Sequence, residues 1–170
     1  MEIMFNCTSL VNIPAYDTNN NGLIIEFKLT ATSSDTFLIN TRGKIAEALQ
    51  RNFKRIIEIM SSMKKSWEHF ESISYLLECK NDHFIVSDSK SSSMALSIAL
   101  ININRAMQGQ LPVSGLSGTG VLRIDGSFDN AHQEEKKYCA ARNLKTINKF
   151  ITPKESRNLF ELENLINQFY

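Results

Sequence analysis

Apolar and polar positions along the chain change rhythm several times, and each change predicts an element. Thr8 to Ile13 is a β-rich run that Pro14 stops, and Asp17, Asn19, Asn20, Asn21 and Gly22 form a dense turn signal. Leu23 to Thr32 then alternates: Ile25, Phe27 and Leu29 point one way, Glu26, Lys28 and Thr30 the other. Two strands about a polar turn predict a hairpin. Thr36 to Ile39 reads as a third strand after the turn Ser33-Ser34-Asp35.

From Ile45 the apolar step lengthens to three and four: Ile45, Leu49, Phe53, Ile56, Met60, Met63. This is an amphipathic helix, with Asn40 or Thr41 available as its cap and Lys44, Glu47, Arg51, Lys54 and Glu58 on a solvated outer face. Ser72 to Leu77 and His83 to Val86 read as short strands. Met94 to Met107 is apolar around most of its circumference, which predicts a central, buried helix ended by Gly109 and Pro112. A Gly- and Ser-rich segment, Val113 to Gly120, follows. Then come a strand at Val121–Ile124, a turn at Asp125-Gly126, a helix over Ala131–Asn143, a strand at Lys149–Thr152 before Pro153, and a helix over Leu159–Phe169. The order predicts one α/β (α+β) domain over residues 1–170, with helices packed on a mixed sheet.

Composition narrows the classes. In 170 residues, 19 Lys+Arg face 18 Asp+Glu, a formal charge of +1. That balance argues against a nucleic-acid binder resting on a broad basic face. No run reaches the roughly 18 apolar residues of a membrane span, and Met1 to Leu10 lacks the basic flank of a secretory signal. Cys7, Cys79 and Cys139 contain no CxxC pair and sit near no histidine at ligand spacing, so buried or half-buried thiols in a reducing, cytoplasmic compartment are expected, with no metal site. No GxxxxGK[ST] or GxGxxG motif is present, and no cofactor is expected. His69, His83 and His132 are scattered and lie in no hydrolase motif.

Two local features carry chemistry. Ser91-Ser92-Ser93 stands at the start of the buried helix. Capping accounts for one such serine. The same geometry also sets a hydroxyl beside unpaired amides and the positive end of a helix dipole, where an oxyanion is stabilised. The second feature is Lys136-Lys137 followed by Tyr138-Cys139-Ala140-Ala141. Lys137 has Ala140 and Ala141 one turn ahead, placing it at the edge of a buried face where desolvation favours the neutral amine of a general base.

Taken in order, a serine opening a central helix, a Gly-Thr-Gly strand, a Lys-x-x-Ala-Ala helix and a strand ending in proline resemble the proteolytic domain of Lon proteases, the Ser-Lys peptidases. The matching segments are Asp88-Ser-Lys-Ser91, Gly109-Gln-Leu-Pro112, Gly118-Thr-Gly120-Val-Leu-Arg-Ile-Asp-Gly126, Lys137-Tyr-Cys-Ala-Ala141 and Lys149-Phe-Ile-Thr-Pro153. The hairpin Leu10 to Thr32, with Gly22-Leu-Ile-Ile-Glu26, and the helix from Ile45 also look like the family. Order and spacing carry the resemblance, which covers most of the chain.

The resemblance implies a Lon-like mixed sheet with packed helices, of the kind shared with a ribosomal-protein domain. It implies a serine endopeptidase with Ser91 as nucleophile and Lys137 as base, and with Thr119, Asp88 and Glu26 in support. It implies hydrolysis of unstructured segments or of one dedicated protein partner, ATP-independent in this chain, with a homo-oligomeric ring and a separate ATPase or sensor as possible partners. The pattern also departs from the family. The loop reads Asp88-Ser89-Lys90-Ser91 where Lon has Asp-Gly-Pro-Ser, and the stretch from Ser91 to Gly109 is longer, so Ser92 and Ser93 stay open as nucleophiles. Asn130-Ala-His-Gln133 replaces Pro-x-Gly-Gly, and no last strand follows the final helix. A catalytically silent Lon-like scaffold for oligomerisation or binding is the alternative, although such domains tend to lose the serine-lysine pair. An RNA-binding relative of the ribosomal-protein fold is a third reading, disfavoured by the near-neutral charge.

Overall fold

The structure, a computed structural model, describes residues 5–79 and 89–169. The strand expected at His83–Val86 and the candidate Asp88 lie outside the described residues.

A hairpin opens the fold. Strand β1 (Asn6–Tyr16) runs antiparallel to β2 (Gly22–Ser33), in register from Asn6 opposite Thr32 to Tyr16 opposite Gly22. The Asp17 carboxylate organises the turn by accepting the main-chain N–H of Asn19 and of Asn21, both at 2.9 Å. The bond from Asn21 is the main reason its carboxyl is held below the usual carboxylate range. On β2 the expected alternation holds: Ile25, Phe27 and Leu29 are buried, Glu26 and Lys28 exposed. Pro14 does not end β1. The pairing of β1 with its other neighbour is centred on Asn12 and Ser117, so Pro14 extends a part of the strand that has β2 beside it.

Strand β3 (Leu38–Arg42) lies parallel to β4 (Ile73–Glu78), which in turn pairs with β2. Pairing with β4 draws Asn40 and Thr41 into β3, so neither caps the following helix. The cap of α1 (Lys44–Met63) is Gly43, with no side-chain bond. The predicted stripe of α1 is buried from Ile45 to Met60, with Met63 partly buried. A 3-10 helix at Lys65–Ser72, unforeseen in the periodicity, inserts Trp67 and Phe70 fully into the core.

Helix α2 (Ser93–Met107) buries 13 of its 15 residues, Met94, Ile98 and Ile101 among them. That is the central helix its apolar circumference predicted. It ends in a Schellman motif: Gly109 N–H donates to the Ala106 carbonyl at 3.1 Å and Gln110 N–H to that of Arg105 at 2.8 Å. Gly109 has φ +76° and open space around it, so any cost of a side chain there is a backbone cost. Gly109→Ala is expected to lower stability by about 1 kcal/mol, read as a lower urea midpoint at unchanged slope; an unchanged midpoint would remove this account of the helix end.

The Gly- and Ser-rich segment holds a strand the periodicity did not reveal. Strand β5 (Leu116–Gly118) is parallel to both β1 and β8 (Lys149–Ile151). Three residues of low strand propensity are held by partners remote in sequence. The strand expected over Val121–Ile124 is shorter: β6 (Val121–Leu122) pairs with β7 (Phe128–Asp129) across the Asp125-Gly126 turn, and Ile124 is 85% exposed. Helices α3 (Glu134–Arg142) and α4 (Leu159–Asn167) complete the chain and start later than, or end before, their predicted limits. The six-stranded sheet has the order β3-β4-β2-β1-β5-β8, a mixed α/β fold with packed helices. No helix among the described residues is long and apolar enough to cross a membrane.

Candidate functional site

Three consecutive serines enter α2 through a 3-10 turn at Lys90–Ser92, and successive residues of a helical turn point about 100° apart. They therefore face different neighbours. Ser92 Oγ donates to the Ser89 carbonyl, and Ser93 Oγ donates to that of Lys90 at 2.6 Å. Both hydroxyls also accept from Asn52 Nδ2 of α1, at 3.1 and 3.2 Å, and the same amide donates to the Ser89 carbonyl at 2.9 Å. Ser92 and Ser93 are thus turned toward α1 and engaged in holding the turn.

Ser91 faces α3. Lys137 Nζ donates to Ser91 Oγ at 2.9 Å, and the residues are 0% and 2% exposed. Lys137 Nζ also lies 5.6 Å from the centre of the Tyr16 ring, at the end of β1. Lys136, about 100° around the helix, points elsewhere: its Nζ donates to the Asn20 carbonyl at 3.0 Å on the exposed side.

The segment after β5 clamps the serine backbone. The Ser91 carbonyl accepts from Gly120 N–H at 3.3 Å and from Thr119 Oγ1 at 3.5 Å, while Met94 N–H donates to the Gly120 carbonyl at 3.3 Å. Thr119, expected to support the lysine, donates through Oγ1 to the Ser91 carbonyl. The approach requires a glycine: a Cβ on Gly118 would lie 2.5 Å from the Ile151 carbonyl oxygen and 2.8 Å from Met94 Cγ. This is the physical content of the Gly-Thr-Gly motif.

The helix start differs from expectation in two respects: its cap, Ser92, makes no side-chain cap bond, and its first amides are paired. The N–H groups of Ser92, Ser93 and Met94 donate to the carbonyls of Ser89, Lys90 and Gly120. Three amides read from the sequence as oxyanion donors are therefore already satisfied within the protein.

Glu26 stands apart from the pair. It is exposed and lines a cavity of about 570 Å3 between β1, α2 and the 112–116 and 145–148 segments, whose walls include neither Ser91 nor Lys137. His69 packs on Phe70 at 4.7 Å, and its burial pushes the imidazole below its ordinary range against a main-chain bond at Ser66. His132 is exposed and meets Tyr16 edge-on at 6.4 Å. Cys7, Cys79 and Cys139 are free thiols. No group of three or more potential metal ligands converges among the described residues.

The pair has a simple chemistry. An amine and a hydroxyl at 2.9 Å exchange a proton in either direction, so a neutral lysine can take the serine proton and release an alkoxide nucleophile. Sequence reasoning missed Asn52, Tyr16 and Gly22 as parts of this site. Asn52 left a signal: it is the polar interruption of the apolar stripe between Leu49 and Phe53. Asn52→Ala removes the amide whose two N–H groups are shared by three oxygens of the serine turn, and is expected to cost about 1–3 kcal/mol. Thermal and urea unfolding would measure it, and a neutral result would mean that the serine turn holds itself.

No family model matches the chain, and a search of curated proteins returns no match.

Proposed function

We propose that the chain is a serine endopeptidase of Lon type, in which Ser91 is the nucleophile and Lys137 its general base. The observation that carries this reading is the 2.9 Å contact between Lys137 Nζ and Ser91 Oγ, made by two buried residues remote in sequence. The mixed sheet with its central helix is compatible with the Lon-like fold that the motif order resembles.

In the proposed cycle, neutral Lys137 accepts the Ser91 hydroxyl proton as Oγ attacks the substrate carbonyl carbon. The resulting ammonium gives that proton to the leaving amine as the peptide C–N bond breaks, leaving an acyl-Ser91. Water, deprotonated by Lys137, then hydrolyses the ester and restores the hydroxyl. Substrates are unstructured segments or one dedicated protein partner, as the resemblance implies. Ring assembly and a separate ATPase partner belong to the same proposal.

Activity is expected to rise with pH, because only the unprotonated lysine accepts the proton. A fluorophosphonate probe should label Ser91, with a rate that follows the same pH curve as cleavage of fluorescent casein; peptide mass spectrometry locates the adduct. A second reading, a silent scaffold, is favoured by the burial of both groups, which leaves a substrate carbonyl little access. Absence of labelling and cleavage at every pH would establish it.

A further inference from the structure

The helix that carries the base has little packing of its own. α3 is nine residues long, its buried side chains are Lys137 and Ala141, and its cap, Gln133, has left-handed backbone (φ 59°) and no side-chain bond. A helix this short gains its stability and position from tertiary contacts. Tyr138 of α3 meets Phe150 of β8 edge-on at 5.8 Å, and the helix's backbone rests on the tip of the β1–β2 hairpin. Lys136 Nζ reaches the Asn20 carbonyl at 3.0 Å, the Tyr16 ring lies 5.6 Å from Lys137 Nζ, and Gly22, opposite Tyr16 in register, abuts the α3 backbone.

The third contact is the closest. A Cβ on Gly22 would lie 2.2 Å from the Lys136 carbonyl oxygen, 2.7 Å from its carbon and 3.3 Å from Lys137 N. Gly22 is not among the positive-φ residues, so its backbone accepts alanine and the obstacle is α3 itself. The tip is a firm support, because Asp17 accepts two main-chain N–H bonds and Asp17 N–H donates to the Asn21 carbonyl at 2.9 Å.

We propose that Gly22 is a positioning residue for Lys137: its missing side chain lets α3 seat on the hairpin and so fixes the separation of Lys137 from Ser91. The catalytic consequence rests on the Ser91–Lys137 reading; the positional consequence does not. In Gly22→Ala the Lys136 carbonyl must retreat by about 1 Å to reach ordinary contact. A misplacement of that size costs up to about 100-fold in rate.

The test compares wild type, Gly22→Ala and Gly126→Ala. In Gly126→Ala the new Cβ meets Met63 Cε at 2.2 Å on a backbone with φ +86°, so it strains the fold without touching α3. Two readouts are used: casein cleavage, and the titration midpoint of Lys137 followed by NMR of its Cε group. Gly22→Ala is expected to lower kcat about 10- to 100-fold with KM within twofold, and to move the Lys137 midpoint. Gly126→Ala is expected to lose stability and leave that midpoint in place. A folded Gly22→Ala protein with an unmoved midpoint overturns the proposal. If wild type neither cleaves casein nor takes the fluorophosphonate, the peptidase reading falls and the midpoint still decides the role of Gly22. Should Gly22→Ala not fold, Tyr16→Leu tests the same platform: losing the ring should lower the Lys137 midpoint by about half a pH unit, and an unmoved midpoint overturns it.

Discussion

Ser91→Ala should abolish casein cleavage, by about 10^4-fold or more, while Ser92→Ala and Ser93→Ala keep it within about tenfold. The three serines are adjacent in sequence, yet their surroundings separate them. Ser91 Oγ accepts from Lys137 Nζ, whereas the hydroxyls of Ser92 and Ser93 share Asn52 and donate to Ser89 and Lys90 carbonyls. Lys137→Met keeps the aliphatic stem in its buried slot and removes only the base, so it should match Ser91→Ala in activity while remaining folded. Lys136→Ala leaves the base in place and removes one exposed contact of α3 with the hairpin, so it should cost far less activity than Lys137→Met. A dead Ser93→Ala beside an active Ser91→Ala would move the nucleophile by two residues and leave the family reading intact. Equal activity in all five variants would end the dyad proposal.

The largest stability loss is expected at Trp67, the chain's sole tryptophan. Its indole is fully buried, stacks on Phe160 at 5.7 Å and donates through Nε1 to Glu163 Oε2 at 3.0 Å. Lys64 pairs with the other carboxylate oxygen and lies 5.2 Å from the indole ring. Trp67→Ala opens a cavity and strips Glu163 of one partner, so a loss of about 3–5 kcal/mol is expected in urea unfolding followed by circular dichroism. Trp67→Phe keeps an aromatic ring but loses the donor and part of the buried indole volume, so a smaller loss of about 1–3 kcal/mol is expected. A loss below about 1.5 kcal/mol in Trp67→Ala would show that the 3-10 segment does not anchor α1 to α4.

Local pattern made much of this protein legible. The alternation of Leu23–Thr32, the stripe from Ile45 and the apolar circumference from Met94 each express a burial rule that acts within one element. Motif order singled out Ser91 and Lys137, which the fold brings within 2.9 Å, and the backbone fits around Gly118 and Gly22 give two of those motif glycines a steric reason. Other parts were not legible, because their cause lies in another element. Strand β5 exists because β1 and β8 flank it, and Asn40 and Thr41 belong to β3 because β4 pairs with them.

The sequence by itself determined the main elements, the central place of α2 and a short set of candidate nucleophiles and bases, since periodicity and residue chemistry are local properties. Only the tertiary structure decided which serine meets the lysine. That choice depends on Asn52 of α1 drawing Ser92 and Ser93 one way and on the hairpin tip seating α3 on the other side, two packing relations between segments about 40 and more than 100 residues apart.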